Sequence, residues 1–227
     1  MNLNLMTFTY CPPKVLADLK STTFPDGKRY YTLEDGTRLP SVTTVIGLQK
    51  KKSIMQWRAR VGEEEANRIS KQATSRGTNV HTICENYLNN KEDYMKGIMP
   101  DALEFFLSIK PYLNNIDNIH YQEAALWSKG IGMAGRVDCI AEYEGELSVI
   151  DFKTSSKPKD KKDIQDYFWQ TTAYALMYEE LIGQPINNLV IIMAVKDSEP
   201  LIFKEKTSDH LDGLAEAIHY YQQNGKS

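Results

Sequence analysis

Two carboxylates and a lysine stand close together in the second half of the chain, in the run GRVDCIAEYEGELSVIDFKTS. Asp138 lies near the start of the run, Asp151 lies near its end, and Lys153 comes two positions after Asp151. Carboxylate oxygens are the ligands that hard divalent cations prefer, and a bound cation promotes the hydrolysis of phosphodiesters. These residue types therefore predict metal-assisted hydrolysis, provided that the fold brings the three side chains to one point.

The same run is typical of a β-hairpin. β-prone apolar residues dominate positions 137–140 and 147–150, and residues 144–146 supply a turn centred on Gly145. A glycine in a turn between two such runs favours two antiparallel strands.

The hairpin determines how the charged residues meet. Because side chains alternate along a strand, Asp151 and Lys153 share a face, and pairing about the turn brings Asp138 level with Asp151 or Phe152. The alternative is a surface hairpin with solvated charges, since a single D-x-K triplet is common by chance. Asp151 directly follows an apolar strand, where a buried carboxylate needs a partner or a metal, and this position favours the metal site.

Composition limits the class of protein. With 227 residues, 41% of them hydrophobic, the chain suits one domain over residues 1–227. No apolar run approaches the roughly 20 residues of a membrane span, and the start of the chain resembles neither a signal peptide nor a transit peptide. We therefore expect a cytoplasmic protein of a bacterial host or phage, without a membrane partner. Its three cysteines are far apart and cannot form a disulfide framework or a four-cysteine cluster.

Basic residues are concentrated in two segments, although the net charge of −3 argues against a generally basic surface. Such clusters can follow a phosphate backbone, and Trp57 lies near one of them for base stacking. The alternative, a solvated charged face, is open for each segment taken alone. The first segment contains Lys153, Lys157, Lys159, Lys161 and Lys162, and the second contains Lys50, Lys51, Lys52, Arg58 and Arg60.

The order of predicted elements indicates an α/β fold preceded by helices. A hairpin is predicted at 29–33 and 37–39, and Ser41 is predicted to cap a short helix. Later strands are predicted at 121–127, Met133–Tyr143, 189–195 and 201–204, the last as an edge strand. Helices are predicted at 53–90, with breaks near Val61-Gly62 and Arg76-Gly77, at Pro100–Leu113 with Leu103, Phe106, Leu107 and Ile109 buried, at 163–182 and at 209–222.

Several motifs in order resemble the RecB-type branch of the PD-(D/E)XK nuclease superfamily. They are Arg76-Gly77-Thr78-x-x-His81, the hairpin run and Gln170-x-x-x-Tyr174. The likeness extends from Pro40 to the last strand and is greatest to the mitochondrial genome maintenance exonucleases and their phage and bacterial relatives. It implies a restriction-endonuclease-like core, a central mixed sheet flanked by helices, at about 116–227. Residues 1–115 would then form an N-terminal hairpin and a helical wall or arch.

The resemblance also implies a metal centre. The implied ligands are His81, Asp138, Asp151 and the backbone carbonyl of Phe152, a set that suits Mg²⁺ or Mn²⁺. Lys153 would hold or deprotonate the attacking water and offset charge in the transition state. For His81 the alternative is an ordinary core or surface histidine.

Two further acidic residues are candidates near the metal. Glu85 lies one turn after His81 on the same helix face and is predicted to orient that histidine or to hold water. Glu123, on a predicted strand, is given an auxiliary catalytic role by the resemblance. A solvated helix carboxylate and an edge-strand charge are the respective alternatives.

Gln170 and Tyr174 lie four residues apart and so share one helix face. The resemblance implies that this face looks into the active site, where the pair contacts DNA or steadies the lysine. A purely structural stripe on the same helix is the alternative, and it explains Tyr174 better than Gln170.

Five other residues are candidates for binding DNA. Thr154 and Ser155 offer hydroxyls to phosphate oxygens, Ser41 and Thr43 match the family's S-V-T segment, and Arg76 can reach a phosphate. Helix capping and solvation are the alternatives for Ser41, Thr43 and Arg76.

The predicted function is a metal-dependent DNA exonuclease that prefers single-stranded DNA with a free end. The preference for a free single strand comes from the resemblance alone. The alternatives are a phage recombination-type exonuclease that resects one strand of a duplex, a structure-selective endonuclease, and a catalytically silent DNA-binding module. The intact set of His81, Asp138, Asp151 and Lys153 argues against the last. Expected partners are DNA and, beyond it, recombination or single-strand-binding proteins.

Overall fold

A computed structural model describes residues 6–225 of the chain. These residues form eight β-strands and six α-helices, together with three short 3₁₀ segments. In chain order they are β1 (Lys20–Thr23), β2 (Arg29–Thr32), β3 (Arg38–Pro40), α1 (Val42–Gly47), α2 (Lys51–Val61), α3 (Glu63–Leu88), α4 (Pro100–Leu113), β4 (Ile116–Ser128), β5 (Met133–Tyr143), β6 (Glu146–Ser155), α5 (Gln165–Ile182), β7 (Asn188–Val195), β8 (Leu201–Lys206) and α6 (Leu211–Asn224).

The centre of the described structure is a five-stranded mixed sheet in the order β4-β5-β6-β7-β8. β6 and β7 are parallel, and the other neighbouring strands are antiparallel. Helices α3 and α4 cover one face, and α1, α5 and α6 cover the other. Because β7 is buried on both faces, it reads as a continuous apolar run in the sequence. The predicted α/β class and the mixed sheet flanked by helices are both confirmed.

The N-terminal part contains a small antiparallel sheet, β1-β2-β3, which packs on Ala125 of β4 and Ala134 of β5. The predicted hairpin corresponds to β2 and β3, whereas β1 was not predicted because its residues are exposed and lack an apolar alternation. Ser41 caps α1 as predicted, since its hydroxyl accepts a hydrogen bond from the Thr44 N–H at 3.0 Å.

Of the two breaks predicted in the helical region 53–90, the one near Val61-Gly62 is present. α2 ends at Val61, and Gly62 takes a positive φ of 87° before α3 begins, as expected of a glycine at a helix end. The predicted break near Arg76-Gly77 is wrong, because α3 continues through it to Leu88. A single glycine costs a helix only about 1 kcal/mol. The buried stripe that follows, Val80, Ile83, Cys84, Tyr87 and Leu88, anchors α3 on the sheet and outweighs that cost.

α4 has the predicted bounds but a different buried face. Phe106 and Ile109 are buried as expected, Leu103 is partly buried, and Leu107 is 50% exposed. The stripe that faces the sheet steps by three or four residues, which places Leu107 on the solvent side. Its members are Ala102, Phe105, Phe106, Ile109 and Leu113.

Element ends elsewhere differ by a few residues. β4 begins at Ile116 rather than at 121, before a register shift between Asp117 and Tyr121. α5 and α6 each begin after a short 3₁₀ turn, at Lys161–Ile164 and Thr207–His210. Within residues 6–225, no helix combines the length and apolar character that a membrane crossing requires.

Candidate active site

The candidate site lies where β5 and β6 separate. The two strands pair from the turn up to Cys139 and Ile150. Beyond that pair, β5 continues alongside β4 only, and β6 continues alongside β7 only. The next residues, Asp138 and Asp151, therefore stand opposite each other at the mouth of the gap, as the sequence predicted.

Asp138 joins the hairpin to α3. Its Oδ2 accepts a hydrogen bond from the Phe152 N–H at 2.9 Å and lies 3.4 Å from His81 Nδ1. In an extended strand the N–H and C=O of one residue point to the same side, so the Phe152 carbonyl also faces this gap. The structure thus brings two of the four predicted metal ligands, His81 and Asp138, together beside the backbone of Phe152.

Asp151 is almost completely buried, with 1% of its surface exposed. Lys153 Nζ lies 2.5 Å from Oδ2, which confirms that the two residues share a face. On the other side Gln170 Nε2 donates to Oδ1 at 3.2 Å. Oδ2 is buried and its contact is with the Lys153 ammonium. Asp151 is therefore fixed from two directions and retains an oxygen that can coordinate a cation.

Glu123 lies closer to the centre than the sequence indicated. In the β4–β5 register Gln122 pairs with Cys139 and Ala124 with Val137, so Glu123 stands opposite Asp138. Ligand atoms of His81, Glu123 and Asp138 all lie within 4.8 Å of one another. Glu123 also has a φ of +46° in mid-strand, a conformation that costs of order 1–3 kcal/mol and is found mainly at functional sites.

The charges in this group perturb one another. Burial opposes protonation of His81, but Asp138 overcomes it and raises the pKa of His81 to about 9. Burial raises the pKa of Glu123 to about 7, and Asp138 adds to that shift. Burial also raises the pKa of Asp151 to about 6, with Lys153 opposing and Asp138 adding to the shift. The ionised forms of Glu123 and Asp151 are thus disfavoured in the protein alone.

The remaining two charges are stabilised in their ionic forms. Burial works against ionised Asp138, but His81, Lys153 and the Phe152 N–H together hold its pKa below the ordinary value. Burial likewise works against the Lys153 ammonium, but Asp151 and Asp138 keep its pKa above the ordinary value. Lys153 is therefore a cation at neutral pH.

The donor set fits a divalent cation. One imidazole and up to three carboxylates converge on the gap, and such oxygen-rich sets with a single histidine suit Mg²⁺ or Mn²⁺. The raised pKa values of Glu123 and Asp151 show that their ionised forms are disfavoured, and a bound cation would favour those forms. Glu85, the predicted orienting residue, lines the same cleft as His81, Glu123 and Asp138.

The two predicted DNA-binding residues on α5 lie in different environments. Gln170 reaches Asp151, whereas Tyr174 is 3% exposed and lies beneath the sheet end. A Cβ atom at Gly135 would come within 2.7 Å of Tyr174 Oη, so this glycine makes room for the tyrosine. Tyr174 therefore packs under the site in this conformation.

The other predicted DNA-binding residues are spread around the site. Thr154 Oγ1 lies near Gly77 of α3, while Ser155 is buried and donates its hydroxyl to the Lys157 carbonyl at 2.6 Å. The Arg76 guanidinium lies over the Phe105 ring, 4.8 Å from its centre. Ser41 is buried in its capping role, and the exposed Thr43 bonds to it at 3.1 Å.

Sequence reasoning missed three residues at the site. Arg29 and Arg136 line the cleft beside His81 and Glu123. Tyr167 lies on α5 with its ring 5.0 Å from Lys153 Nζ. Its spacing to Gln170 and Tyr174, three and seven residues, is the signal that could have placed it on the same helix face.

A mixed sheet whose end carries two carboxylates and a lysine points to a nuclease, and the comparison with known families gives the same class of protein. The chain belongs to the PD-(D/E)XK nuclease superfamily, whose family model matches residues 57–223. The predicted family is thereby confirmed.

Curated proteins similar to this chain include mitochondrial exonucleases. The chain is 28% identical over 177 residues to human mitochondrial genome maintenance exonuclease 1, and 27% identical over 173 residues to the mouse protein. In both cases 71% of this chain and 51% of the relative are covered, so the chain spans about half the length of these relatives. The crystal structure of a putative exonuclease from Eubacterium rectale aligns with a TM-score of 0.43 and 19% identity, over 67% of this chain and 64% of that one.

Proposed function

We propose that this protein is a divalent-metal-dependent DNA exonuclease that hydrolyses phosphodiester bonds and prefers single-stranded DNA with a free end. The observation that carries the proposal is the convergence of His81, Asp138, Asp151 and Lys153 where β5 and β6 separate. Superfamily membership supports a nuclease. The names of the similar curated proteins support an exonuclease.

A divalent cation in this site would polarise the phosphodiester and make a bound water more acidic. His81, Asp138, Asp151 and the Phe152 carbonyl are the proposed ligands, and Glu123 is placed to add a further oxygen. The proposed cation is Mg²⁺ or Mn²⁺, which both accept this mixture of donors.

Lys153 provides the positive charge beside the reacting phosphate. Its ammonium is held by Asp151, and Asp151 is held in turn by Gln170, so the charge is positioned before the substrate arrives. The Lys153 side chain is 18% exposed, which leaves its end accessible from the gap. An ammonium fixed there can orient the attacking water and stabilise the charge that develops on the phosphoryl oxygens.

The proposed preference for a free single strand draws on the helices before the sheet. α2 and the first half of α3, residues 51–75, are called the arm below. Among the described residues of the arm only Ala66 is buried, so the arm stands away from the core. Ile54 and Met55 expose apolar surface on it, at 50% and 61%. An arm of this kind offers apolar surface to unstacked bases, which a duplex does not present.

The test is digestion of end-labelled DNA with Mg²⁺ or Mn²⁺, using linear single strands, circular single strands and duplexes. The expected result is digestion of linear single strands, with circles intact and duplexes cut slowly. Cleavage of circles would contradict the exonuclease assignment, and faster digestion of duplexes would contradict the single-strand preference.

Lys153→Ala links that activity to the site. The variant should lose at least about 100-fold in turnover, since removing one charge-stabilising group in an active site costs about 10² to 10³. Lys96→Ala is the matched control, because Lys96 lies outside both basic segments and is exposed, with its ammonium 3.9 Å from exposed Asp93. Equal activity in both variants would remove Lys153 from the mechanism.

A further inference from the structure

The Tyr167 ring lies among three ammonium groups. Lys153 Nζ lies 5.0 Å from the ring centre, Lys159 Nζ 5.2 Å and Lys50 Nζ 5.6 Å, all within the range of cation–π attraction. Lys50 and Lys159 come from different basic segments of the sequence, and the fold brings one lysine of each to the same ring. The ring therefore gathers two further ammonium groups beside the proposed catalytic lysine.

The three ammonium groups differ in whether a carboxylate lies next to them. Lys153 pairs with Asp151, and Lys50 lies 2.6 Å from Asp166 Oδ1. Lys159 instead donates to the Tyr167 hydroxyl at 3.1 Å. Within residues 6–225, no carboxylate lies within 4.0 Å of its ammonium, although the side chain is partly buried. Like charges this close repel one another, so the group gains stability from an anion placed among them.

We propose that Lys159, Lys50 and Tyr167 form a subsite for the phosphate group that neighbours the scissile phosphate of a DNA strand. The inference rests on the proposed nuclease function, which places the scissile phosphate at Lys153. A strand lying across that point brings its next phosphate toward the ring, where Lys159 is the cation without a counter-ion. Because ammonium groups already lie against the ring, the subsite binds a phosphate rather than a stacked base.

Binding without metal tests the subsite independently of catalysis. The dissociation constant of a fluorescent single-stranded oligonucleotide is measured in EDTA over a range of salt concentrations. Each phosphate neutralised on a single strand contributes about 0.7 to the slope of log K against log[salt]. We expect Lys159→Ala to lower that slope by about 0.7 and Lys159→Arg to restore it. The Lys96→Ala control should keep the wild-type slope, and melting midpoints confirm that the variants fold.

An uncharged phosphate analogue tests which phosphate of the strand occupies the subsite. In an oligonucleotide with one methylphosphonate next to a defined scissile linkage, the wild-type protein should cleave that linkage at least about tenfold more slowly than in the all-phosphate strand. Lys159→Ala should cleave the all-phosphate strand more slowly and show a smaller difference between the two strands, because Lys50 alone then faces the phosphate.

The outcomes separate the two proposals. If the wild-type protein neither binds nor cleaves DNA, the proposed function fails and the subsite with it. If the wild type cleaves DNA but Lys159→Ala shows the wild-type salt slope, or responds to the methylphosphonate as the wild type does, only the subsite is overturned.

Discussion

The end of the sheet and the arm differ in how firmly their side chains are held. At the sheet end Asp151 is buried and Asp138 is partly buried, and each is held by partners from two elements or more. In the arm the described charged contacts, such as Arg58 with Glu63 and Arg68 with Glu65, lie on the surface, where ion pairs contribute little. Groups that carry out chemistry need fixed geometry, whereas a surface that accepts different bases needs tolerance. The comparison predicts that changes at the sheet end alter rate and stability and that changes in the arm alter binding.

The largest effect is expected at Asp151. In Asp151→Asn the amide cannot pair with the Lys153 ammonium or offer an anionic oxygen to a cation. Turnover of a linear single strand should fall by about 10² to 10³ or more, as for other losses of active-site charge stabilisation. Steady-state digestion with Mg²⁺ and with Mn²⁺ measures it. Glu64→Gln in the arm is the control carboxylate, and an Asp151→Asn rate within a few-fold of that control would place Asp151 outside the site.

The next effect is structural and lies beneath the site. Gly135→Ala would place a methyl group 2.7 Å from Tyr174 Oη and 3.1 Å from Val42 Cγ2, in a buried region without room to relax. Overpacking of this kind costs about 1–3 kcal/mol, measured as a lower urea midpoint. The control is Gly47→Ala, where a Cβ meets nothing within 4 Å and the backbone is helical, with a φ of −66°. Equal stability of the two variants would contradict the tight packing of Tyr174.

A pH effect follows from the crowded charges. In the metal-free protein His81, Glu123 and Asp151 have pKa values of about 9, 7 and 6, all above their ordinary values. Their protonated forms therefore stabilise the fold at low pH, and this contribution is lost as the pH rises through those values. The melting midpoint in EDTA should fall between pH 6 and pH 9.

Glu123→Gln provides the matched comparison for that fall. The variant keeps the shape of the side chain but cannot ionise, so its midpoint should change less around pH 7. Added Mn²⁺ should bind more tightly as the pH rises, because it replaces the protons that leave these groups. A midpoint that rises with pH in EDTA would contradict the assigned charge arrangement.

The sequence predicted the sheet end well because local rules apply there. The hairpin turn at Gly145 and the alternation along β6 determine the register, and the register alone brings Asp138 opposite Asp151. The position of Glu123 was predicted less well, because it depends on the pairing between β4 and β5. It also depends on a positive φ, which a glutamate residue does not predict.

Tyr167 shows the limit of pattern analysis. Its helix face was predictable from its spacing to Gln170, but its lysine neighbours come from two segments that lie about a hundred residues apart in the chain. The break predicted at Arg76-Gly77 failed for a related reason, because tertiary packing of the second half of α3 decides the continuity of the helix. Local propensity gives elements and their faces, whereas distant contacts decide which faces meet.

The smallest effect on the fold is expected in the arm. Met55 is 61% exposed, so Met55→Ser should change the free energy of unfolding by no more than about 0.5 kcal/mol. If the arm holds unstacked bases, the loss of this apolar contact costs about 1 kcal/mol of binding, and KM for a single strand rises about fivefold while kcat is unchanged. Met95→Ser is the control, since Met95 is 44% exposed beyond the other end of α3. A lower kcat with unchanged KM would assign the arm to the chemistry and remove the distinction between the two regions.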